Sequence, residues 1–387
     1  MTTLNVLVNS NIDNILIDNP TIDTFIFEPG MYYLTKILKI TRPNVNFTGT
    51  TNAKDIHIFQ TNVNQDGINV ISHFFYMSNI SVHVEHPAYV ALIVANAHNS
   101  IIENCYFYGN PTTFTVYYAG PSVNAGIDTI NAYNNNNLDK SNIFRNNVVY
   151  SKWSGDSVSF SLQLNGTFFK NIIRGGKVAV YMCKRTTIRN NVIYDSTSHG
   201  VYLSLPSHNV TINKNKIYEC ANSAIIIKDQ VEHGVFVPTP YNINISENFL
   251  YDAKFNGIEA NNLITATLNN NKLLSSDNNG FYFLNCSDVR IISNTIAYFN
   301  VAFWLENTNN CTIDNNSVYS VYPSYGNNVV KFVNSIDNTV SNSNINGTMA
   351  TNTFYGGNTV NNNTISNDIY NQYYSYNNEL SIMKFGL

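Results

Sequence analysis

Apolar and polar positions recur along this chain in one phrase: an apolar residue, two polar residues, an asparagine, one further residue and a second apolar residue. The clearest copies contain Asn191, Asn215, Asn248, Asn271, Asn294 and Asn316, and weaker copies contain Asn147, Asn171 and Asn363. Most copies follow one another at about 20 to 25 residues, a period that is typical of stacked repeat proteins. The pattern therefore predicts a solenoid.

Each repeat is predicted to hold three short strands separated by turns. In residues 200–220, Val201 and Leu203 alternate with Tyr202 and Ser204, which is the period of a strand with one buried face. A turn follows, then a second strand, a corner at Asn215 and a third strand. Helices are not expected, because asparagine and β-branched residues, both poor helix formers, crowd every segment.

Three strands per turn that stack in parallel on their equivalents make a parallel β-helix of about a dozen rungs, each rung being one full turn. The recurrent asparagine suits a corner, because it tolerates the left-handed backbone conformation. Its side-chain amide can also bond the equivalent amides one rung above and below. A leucine-rich repeat shares an asparagine ladder and a similar period, but it needs an L-x-x-L-x-L run that is absent here.

These turns resemble the asparagine ladders of the right-handed, pectate-lyase-like parallel β-helix superfamily over roughly residues 20–365. The opening segment 27–34, FEPGMYYL, is similar to the opening of such proteins, and the segments 66–68 and 126–128 resemble their first strands. The resemblance implies a single-stranded right-handed parallel β-helix with its substrate groove along the first sheet and the turn before it. The "DPH" signature of alginate epimerases and the "WiDH" segment of pectate lyases are absent, so a lyase of the pectate lyase subfamily is not expected.

The amino-acid composition limits the classes of partner and ligand that are expected. Charged residues make up 12% of the chain, the net charge is -4 and no basic stripe appears, which argues against nucleic acid as the main partner. Five cysteines at irregular spacing do not form a disulfide framework, although a Cys286–Cys311 bridge is conceivable. No cluster of acids for calcium stands out, and we expect neither a metal site nor a cofactor.

The repeat predicts three regions along the chain. Residues 1–50 are expected to cap the first rung, residues 51–367 to form the β-helix, and residues 368–387 to close it or to contact another subunit, which would permit a homo-oligomer. The first ten residues lack the features of a signal peptide, and no stretch is apolar enough for a membrane span.

Alignment of the first strands predicts columns of outward side chains about 4.8 Å apart per rung. One column is predicted to contain Asp128, Ser159, Tyr181, Tyr202, Ile226, Glu259, Tyr282 and Trp304. The next is predicted to contain Ile130, Ser161, Cys183, Ser204, Lys228, Asn261, Leu284 and Glu306. The turns before the strands add Asp156, Arg174, Lys177 and His199.

These columns offer three groups of candidate site residues. Asp128 and Asp156 are expected to precede or occupy adjacent first strands, so that their carboxylates can come within the separation used by glycosidases. A polysaccharide lyase instead needs a base, a proton donor and a cation. The residues for that chemistry are Arg174, Lys177 and His199 around Tyr181 and Tyr202. Glu259 is a further catalytic candidate, and the candidates for substrate binding are Tyr181, Lys228, Tyr282 and Trp304.

Tyr202, Tyr282 and Trp304 form the third group, an aromatic strip on which sugar rings can stack. Each group also has a structural interpretation. The aspartates can cap turns, Arg174, Lys177 and His199 can be solvated turn residues, and the aromatic column can stabilise the sheet.

Two functions follow from these residues. The first is a carbohydrate-active enzyme, a polysaccharide lyase or glycoside hydrolase, that acts in a groove along the first sheet. The second is a non-catalytic structural or glycan-binding protein of a virus particle or cell surface, favoured by the low charge and by the lack of a recognised catalytic signature. In both cases the expected partner is a polysaccharide or glycan.

Overall fold

In the computed structural model, the described residues are 2–86, 88–109, 112–121, 127–152, 155–204, 206–228, 240–321, 328–346, 358–361 and 364–366. The predicted closing segment 368–387 lies outside them. The chain winds into a solenoid of about 13 turns with three long parallel sheets. This confirms the predicted parallel β-helix.

The first sheet has 12 strands, and it is the one on which the candidate columns were predicted. In chain order its strands are Leu38–Ile40, Ile68–Val70, Leu92–Ala95, Phe114–Gly120, Asp156–Ser161, Lys177–Tyr181, Val201–Ser204, Ile225–Lys228, Ile258–Asn261, Asn279–Leu284, Val301–Glu306 and Asn328–Val333.

The second sheet has 15 strands. They are Thr3–Val6, Thr24–Phe27, Asn46–Gly49, Tyr76–Ser78, Ile101–Glu103, Ile143–Arg145, Thr167–Phe169, Thr187–Arg189, Thr211–Asn213, Tyr241–Ser246, Ile264–Asn269, Ser287–Ile292, Thr312–Asp314, Thr339–Ser341 and Thr359–Asn361.

The third sheet has 14 strands. They are Gly30–Leu34, Ile56–Gln60, Ser81–Val84, Tyr106–Gly109, Val148–Ser151, Ile172–Arg174, Val192–Ser196, Lys216–Cys220, Phe249–Ala253, Lys272–Ser276, Thr295–Phe299, Ser317–Val321, Asn344–Asn346 and Thr364–Ser366. A two-stranded pair joins Asp139–Lys140 to Gln163–Leu164.

Helix is scarce in the described chain. It comprises the short helix Ile15–Asp18, the 3-10 turn Ala53–Asp55 and the helix Ile127–Asn134. The sheets begin before residue 51, since Thr3–Val6 already pairs with Thr24–Phe27 in parallel. The predicted boundary between a cap and the β-helix at residue 50 stays a prediction.

Inward side chains from the three sheets fill a narrow core. On the second sheet one inward column contains Ile188, Ile212, Ile245, Leu268, Ile291 and Ile313, each paired with the next in register and at most 1% exposed. Because alternate residues of a strand face opposite sides, the same strands place their other residues outward. Which outward residues line up from one rung to the next therefore depends on the register between neighbouring strands. The buried core positions alone do not fix that register.

The predicted asparagine ladder lines one corner of the solenoid. Its members are Asn147, Asn171, Asn191, Asn215, Asn248, Asn271, Asn294 and Asn316, all buried. In a typical step, both the backbone N–H and the side-chain amide of Asn191 donate to Oδ1 of Asn215, at 3.0 and 2.9 Å. The Asn191 amide also donates to the carbonyl of Phe168 in the preceding rung. Each asparagine thus ties three rungs together.

The backbone of the corner differs from the prediction in one detail. The residue before each ladder asparagine, not the asparagine itself, adopts the left-handed conformation, as at Asn190, Lys214 and Glu247, with φ of 56°, 56° and 55°. The turn thereby aims the following asparagine inward. The ladder position needs the amide for its hydrogen bonds, and the left-handed position tolerates residues other than asparagine.

All five cysteines are buried thiols, so the conceivable Cys286–Cys311 bridge is not formed. Burial raises the pKa of Cys183 to about 12. Across the described ranges, no helix has the length and apolar character needed to cross a membrane.

Candidate functional site

The outer face of the first sheet carries most of the predicted site residues. Register places Tyr202, Ile226, Glu259, Tyr282 and Trp304 in one column, each paired with the next. This part of the predicted column is confirmed, and Lys331 extends it by one rung.

Tyr181 does not belong to that column. It pairs with Ser161 and Ser204, and Ala179 occupies the position in line with Tyr202. Cys183 is correspondingly misplaced in the second predicted column. The reason for this error is geometrical: a slip of two residues keeps every side chain on its own face of the strand, so the apolar pattern cannot detect it.

Asp128 was expected on a first strand, and this expectation is wrong. It lies in the helix Ile127–Asn134, and the first strand one rung before Asp156 is Phe114–Gly120. Ile130, misplaced with it, packs in a satellite cluster outside the main core, whose members are Ile130, Tyr133, Leu138, Leu162 and Met182. This packing involves residues that are distant in the sequence, so it cannot be read from the residues around Asp128. Their alternation of apolar and polar side chains was as compatible with a strand as with a helix.

Asp156 and Lys177 begin neighbouring first strands and form an ion pair. Lys177 Nζ lies 2.9 Å from Oδ1 of Asp156, and the Tyr181 hydroxyl donates to Oδ2 at 3.2 Å. Burial raises the pKa of Asp156, and the neighbouring Lys177 ammonium partly offsets this effect. Burial also raises the pKa of Tyr181 above its ordinary value, and the Asp156 charge adds to that shift. Lys177 and Tyr181, which the sequence analysis placed in one group, are therefore joined by the Asp156 carboxylate that both of them contact.

Tyr202 stands one rung further and joins this group to His199. Lys177 Nζ lies 5.3 Å from the centroid of the Tyr202 ring, and the ring centroids of Tyr181 and His199 lie 5.8 and 6.0 Å from it. Burial lowers the pKa of His199, and the charge of Glu259 opposes this. The Nδ1 atom of His199 is buried and makes no hydrogen bond within the described structure. The lowered pKa favours the neutral imidazole at pH 7.

Glu259 is held by two residues that the sequence analysis missed. Its Oε2 accepts hydrogen bonds from Ser223 Oγ at 2.7 Å and from Asn256 Nδ2 at 3.0 Å. Asn279 in turn donates its backbone N–H and its amide to Oδ1 of Asn256. Ser223 and Asn256 each lie two residues before a strand of the first sheet, and Asn279 is the first residue of the next such strand. Aligning the starts of these strands rung by rung would therefore have identified all three.

Arg174 is separated from this group. It ends a strand of the third sheet, where it pairs with Asp195 at 3.0 Å and lies over the rings of Tyr150 and Tyr194 at 5.4 and 5.8 Å. The expectation that it surrounds Tyr181 and Tyr202 is therefore wrong. The turn between the third and first sheets separates Arg174 from Lys177 by only two glycines, but the two strands face different sides of the solenoid.

The aromatic strip continues toward the C-terminal rungs. The Tyr282 and Trp304 rings meet edge to face at 5.6 Å, and the Tyr282 hydroxyl donates to Glu306 at 3.2 Å. Lys331 Nζ lies 3.4 Å from the Trp304 ring centroid, so one face of this ring is already covered. Lys228 lies in the second column and is exposed at the strand end.

Within the ranges given above, no three histidine, cysteine, aspartate or glutamate side chains converge to hold a metal ion. The candidate site described above brings together a carboxylate paired with a lysine, a tyrosine, a histidine with a lowered pKa and a hydrogen-bonded glutamate.

Comparison with known proteins agrees with this architecture. The family model described as "Right handed beta helix region" matches residues 123–236, and the model described as "Periplasmic copper-binding protein (NosD)" matches residues 224–331. No curated protein matches the chain in sequence. With the observed winding, these matches identify the chain as a right-handed parallel β-helix protein.

Solved structures share the fold at low identity. The Azotobacter vinelandii mannuronan C-5 epimerase AlgE6 A-module aligns over 89% of both chains with a TM-score of 0.52 and 15% identity. The catalytic unit of a GH87 α-1,3-glucanase from Streptomyces thermodiastaticus aligns over 90% of this chain and 65% of its own, with a TM-score of 0.56 and 13% identity. The Dettilon tailspike protein aligns over 92% of this chain and 64% of its own, with a TM-score of 0.50 and 12% identity. At these identities the likeness establishes the fold.

Proposed function

We propose that this protein is a carbohydrate-active β-helix protein that cleaves an acidic polysaccharide by β-elimination on the outer face of the first sheet. The observation that carries the proposal is the meeting of Lys177, Tyr202 and His199 on that face. Two of the similar structures are named for an action on a polysaccharide, and one of these names places the chemistry at C-5.

The three side chains have the properties that β-elimination requires. A base removes the proton on C5 of a uronate, the electron pair forms the C4–C5 double bond, and the bond from C4 to the glycosidic oxygen breaks. The neutral imidazole of His199 is the base. The Tyr202 hydroxyl returns a proton to the departing oxygen. The ammonium of Lys177, with that of Lys228, faces the uronate carboxylate and stabilises the negative charge that develops on it.

The geometry favours elimination over hydrolysis. Asp156 and Glu259 are separated by four strand steps along the first sheet, which is about 19 Å at ~4.8 Å per step. Retaining and inverting glycosidases need their two carboxyl groups about 5 to 9.5 Å apart. Asp128 lies on a helix and not on the neighbouring first strand, so its predicted pairing with Asp156 has lost its structural basis.

The test is the ultraviolet absorbance of unsaturated products on a panel of uronate-containing and neutral polysaccharides. We expect turnover of an acidic polymer, and a loss of about 100-fold to 10,000-fold in kcat for His199→Gln and for Tyr202→Phe. Tyr106→Phe, a matched loss of a hydroxyl on the third sheet, is the control and should retain activity. Turnover that survives both site substitutions would discard these assignments, and reducing ends without unsaturated products would indicate hydrolysis.

A non-catalytic role is the second candidate, and one observation favours it. Several charged groups of the site already have partners inside the protein: Lys177 binds Asp156, Glu259 binds Ser223 and Asn256, and Lys331 covers Trp304. Such internal pairing suits a rigid glycan-binding or structural rod on a virus particle or cell surface. Glycan binding that persists without any turnover, weakened by Tyr282→Ala, together with detection of the protein in purified particles, would support this candidate.

A further inference from the structure

The outer faces of the second and third sheets differ in chemistry although the same solenoid forms both. On the second sheet one outward column begins with Tyr76, Ile101 and Ile143 and is polar from Thr167 onward, where it contains Thr167, Thr187, Thr211, Asn244, Thr267 and Arg290. On the third sheet the corresponding column contains Tyr108, Tyr150, Arg174, Tyr194, Tyr218 and Tyr251. The β-helix itself therefore does not require aromatic residues on its outside.

The column beside these tyrosines is also largely apolar. Two residues earlier on the same strands lie Tyr106, Val148, Ile172, Val192, Lys216 and Phe249, and all of them except Lys216 are partly buried. We call the two columns together the aromatic face. It continues toward the N-terminal rungs through His83, Phe59 and Tyr33, which follow in register.

The rings of the aromatic face stack on one another along the solenoid axis. Tyr108 and Tyr150 stack at 5.3 Å, and Tyr194 and Tyr218 also stack at 5.3 Å. Arg174 lies between the two pairs, over Tyr150 and Tyr194, and its charge is paired with Asp195. Because the ring faces contact each other, the rings present mainly their edges and hydroxyl groups outward.

We propose that the aromatic face is the surface through which two copies of this chain associate. Scattered apolar residues are ordinary on a protein surface, but a contiguous apolar strip marks an interaction site. From Tyr33 to Tyr251 the column spans eight strand steps, about 38 Å at ~4.8 Å each. With two columns and their side chains about 15 Å wide, it offers roughly 600 Å², close to the ~800 Å² per partner of a stable interface.

The chemistry of the face favours a second copy over a glycan. Sugar rings stack on the faces of aromatic rings, and those faces are used within the stack. The flanking Val148, Ile172 and Val192 offer no hydrogen bonds to hydroxyl groups. The face carries two cations: Arg174, which is paired with Asp195, and Lys216, which is exposed. The uncharged remainder of the face is complementary to itself. A twofold axis across it would bring the same strip of both copies together, as in isologous dimers.

The experiment compares charge introduced on the two outer faces of the full chain. Val148→Lys with Val192→Lys adds two cations to the aromatic face, and Thr187→Lys with Thr211→Lys adds two cations at partly buried positions of the threonine column. Light scattering after gel filtration and sedimentation velocity, from 1 to 100 µM protein, measure the mass of each. We expect the wild type and the threonine-column variant to be oligomeric. The aromatic-face variant should be monomeric, with the dissociation constant raised at least about 100-fold because like charges meet across the twofold axis.

Circular dichroism distinguishes loss of association from loss of fold. Should the lysine pair unfold the chain, Val148→Ser with Val192→Ser removes apolar area without charge and is expected to weaken association in a natively folded protein. A wild type that is monomeric at 100 µM would overturn the proposal. So would an oligomer that survives both aromatic-face variants, or a monomer that binds glycan through this face. None of these results depends on catalysis at the first sheet.

Discussion

The asparagine ladder makes a sharp prediction about Asn215, which lies in the middle of it. Asn215→Ala removes the Oδ1 that accepts from the backbone N–H of Asn191 at 3.0 Å and from its amide at 2.9 Å. It also removes the donor to the carbonyl of Ile188 and to Oδ1 of Asn248, both at 3.0 Å. Nothing solvates these groups, because Asn191, Asn215 and Asn248 are at most 1% exposed.

The cost follows from the groups that are left without a partner. The Asn191 backbone N–H loses the acceptor Asn215 Oδ1, and the Asn191 side-chain amide keeps only its bond to Phe168. A buried polar group without a partner costs about 1 to 3 kcal/mol, so we expect Asn215→Ala to lower the free energy of unfolding by about 3 to 5 kcal/mol. This is a large fraction of the ~5 to 15 kcal/mol by which proteins are ordinarily stable.

The assay should resolve rungs as well as the whole chain, because repeat proteins can open locally. Urea unfolding gives the total loss, and hydrogen exchange by mass spectrometry should show faster exchange at the corner of residues 188–217. Asn213→Ala, two residues away on the outer face, removes bonds to Ser246 and Glu247 and is the matched control, expected to cost less than about 1 kcal/mol. Equal losses for the two variants would refute the reasoning that burial gives the ladder its energetic weight.

Three further outcomes follow from the structure. Burial lowers the pKa of His83 from 6.5 to about 4, so between these pH values the unfolded chain binds a proton that the folded chain does not. His83 alone should therefore lower the free energy of unfolding by about 3 kcal/mol as the pH drops from 7 to 4, and His83→Phe should remove this part of the pH dependence in urea titrations. Cys183, with its raised pKa, should react with a thiol reagent only after denaturation; labelling of the native protein would contradict its burial. Gly175 has φ of 99°, and a Cβ there would lie 1.8 Å from the Ser151 carbonyl oxygen. Gly175→Ala should therefore lower the melting temperature by several degrees. Gly166→Ala, whose added Cβ would meet side chains at 3.3 Å, is the control and should lower it less.

The fold was predictable because the ladder asparagine appears in the sequence at the same place in each rung. A buried amide needs its partners one rung away, so Asn191 and its equivalents fix the stacking independently of turn length. The column from Tyr202 to Trp304 was predictable for the same reason, since the rungs there follow the ladder closely.

The parts that were not predictable depend on contacts between distant residues. Helix Ile127–Asn134, which carries Asp128, is stabilised by packing against Leu162 and Met182. The residue pattern within the helix does not predict these distant partners. Tyr181 was misplaced because alternation is unchanged by a two-residue slip. Ser223 and Asn256, the partners of Glu259, in contrast lie in corresponding turns of neighbouring rungs, so an alignment of those turns could have predicted that they meet.

The ladder has a direction as well as a position. From Asn147 to Asn294 every ladder asparagine donates its backbone N–H to the side-chain oxygen of the ladder asparagine one rung later, and the last, Asn316, donates its backbone N–H to Ser343 Oγ. The file of dipoles is thus aligned head to tail, and aligned hydrogen bonds polarise one another. The ladder consequently has two unlike ends within the solenoid: Asn147 accepts from the Cys105 backbone, and Asn316 donates to Ser343. A rung inserted into the ladder would have to keep the same direction of hydrogen bonding.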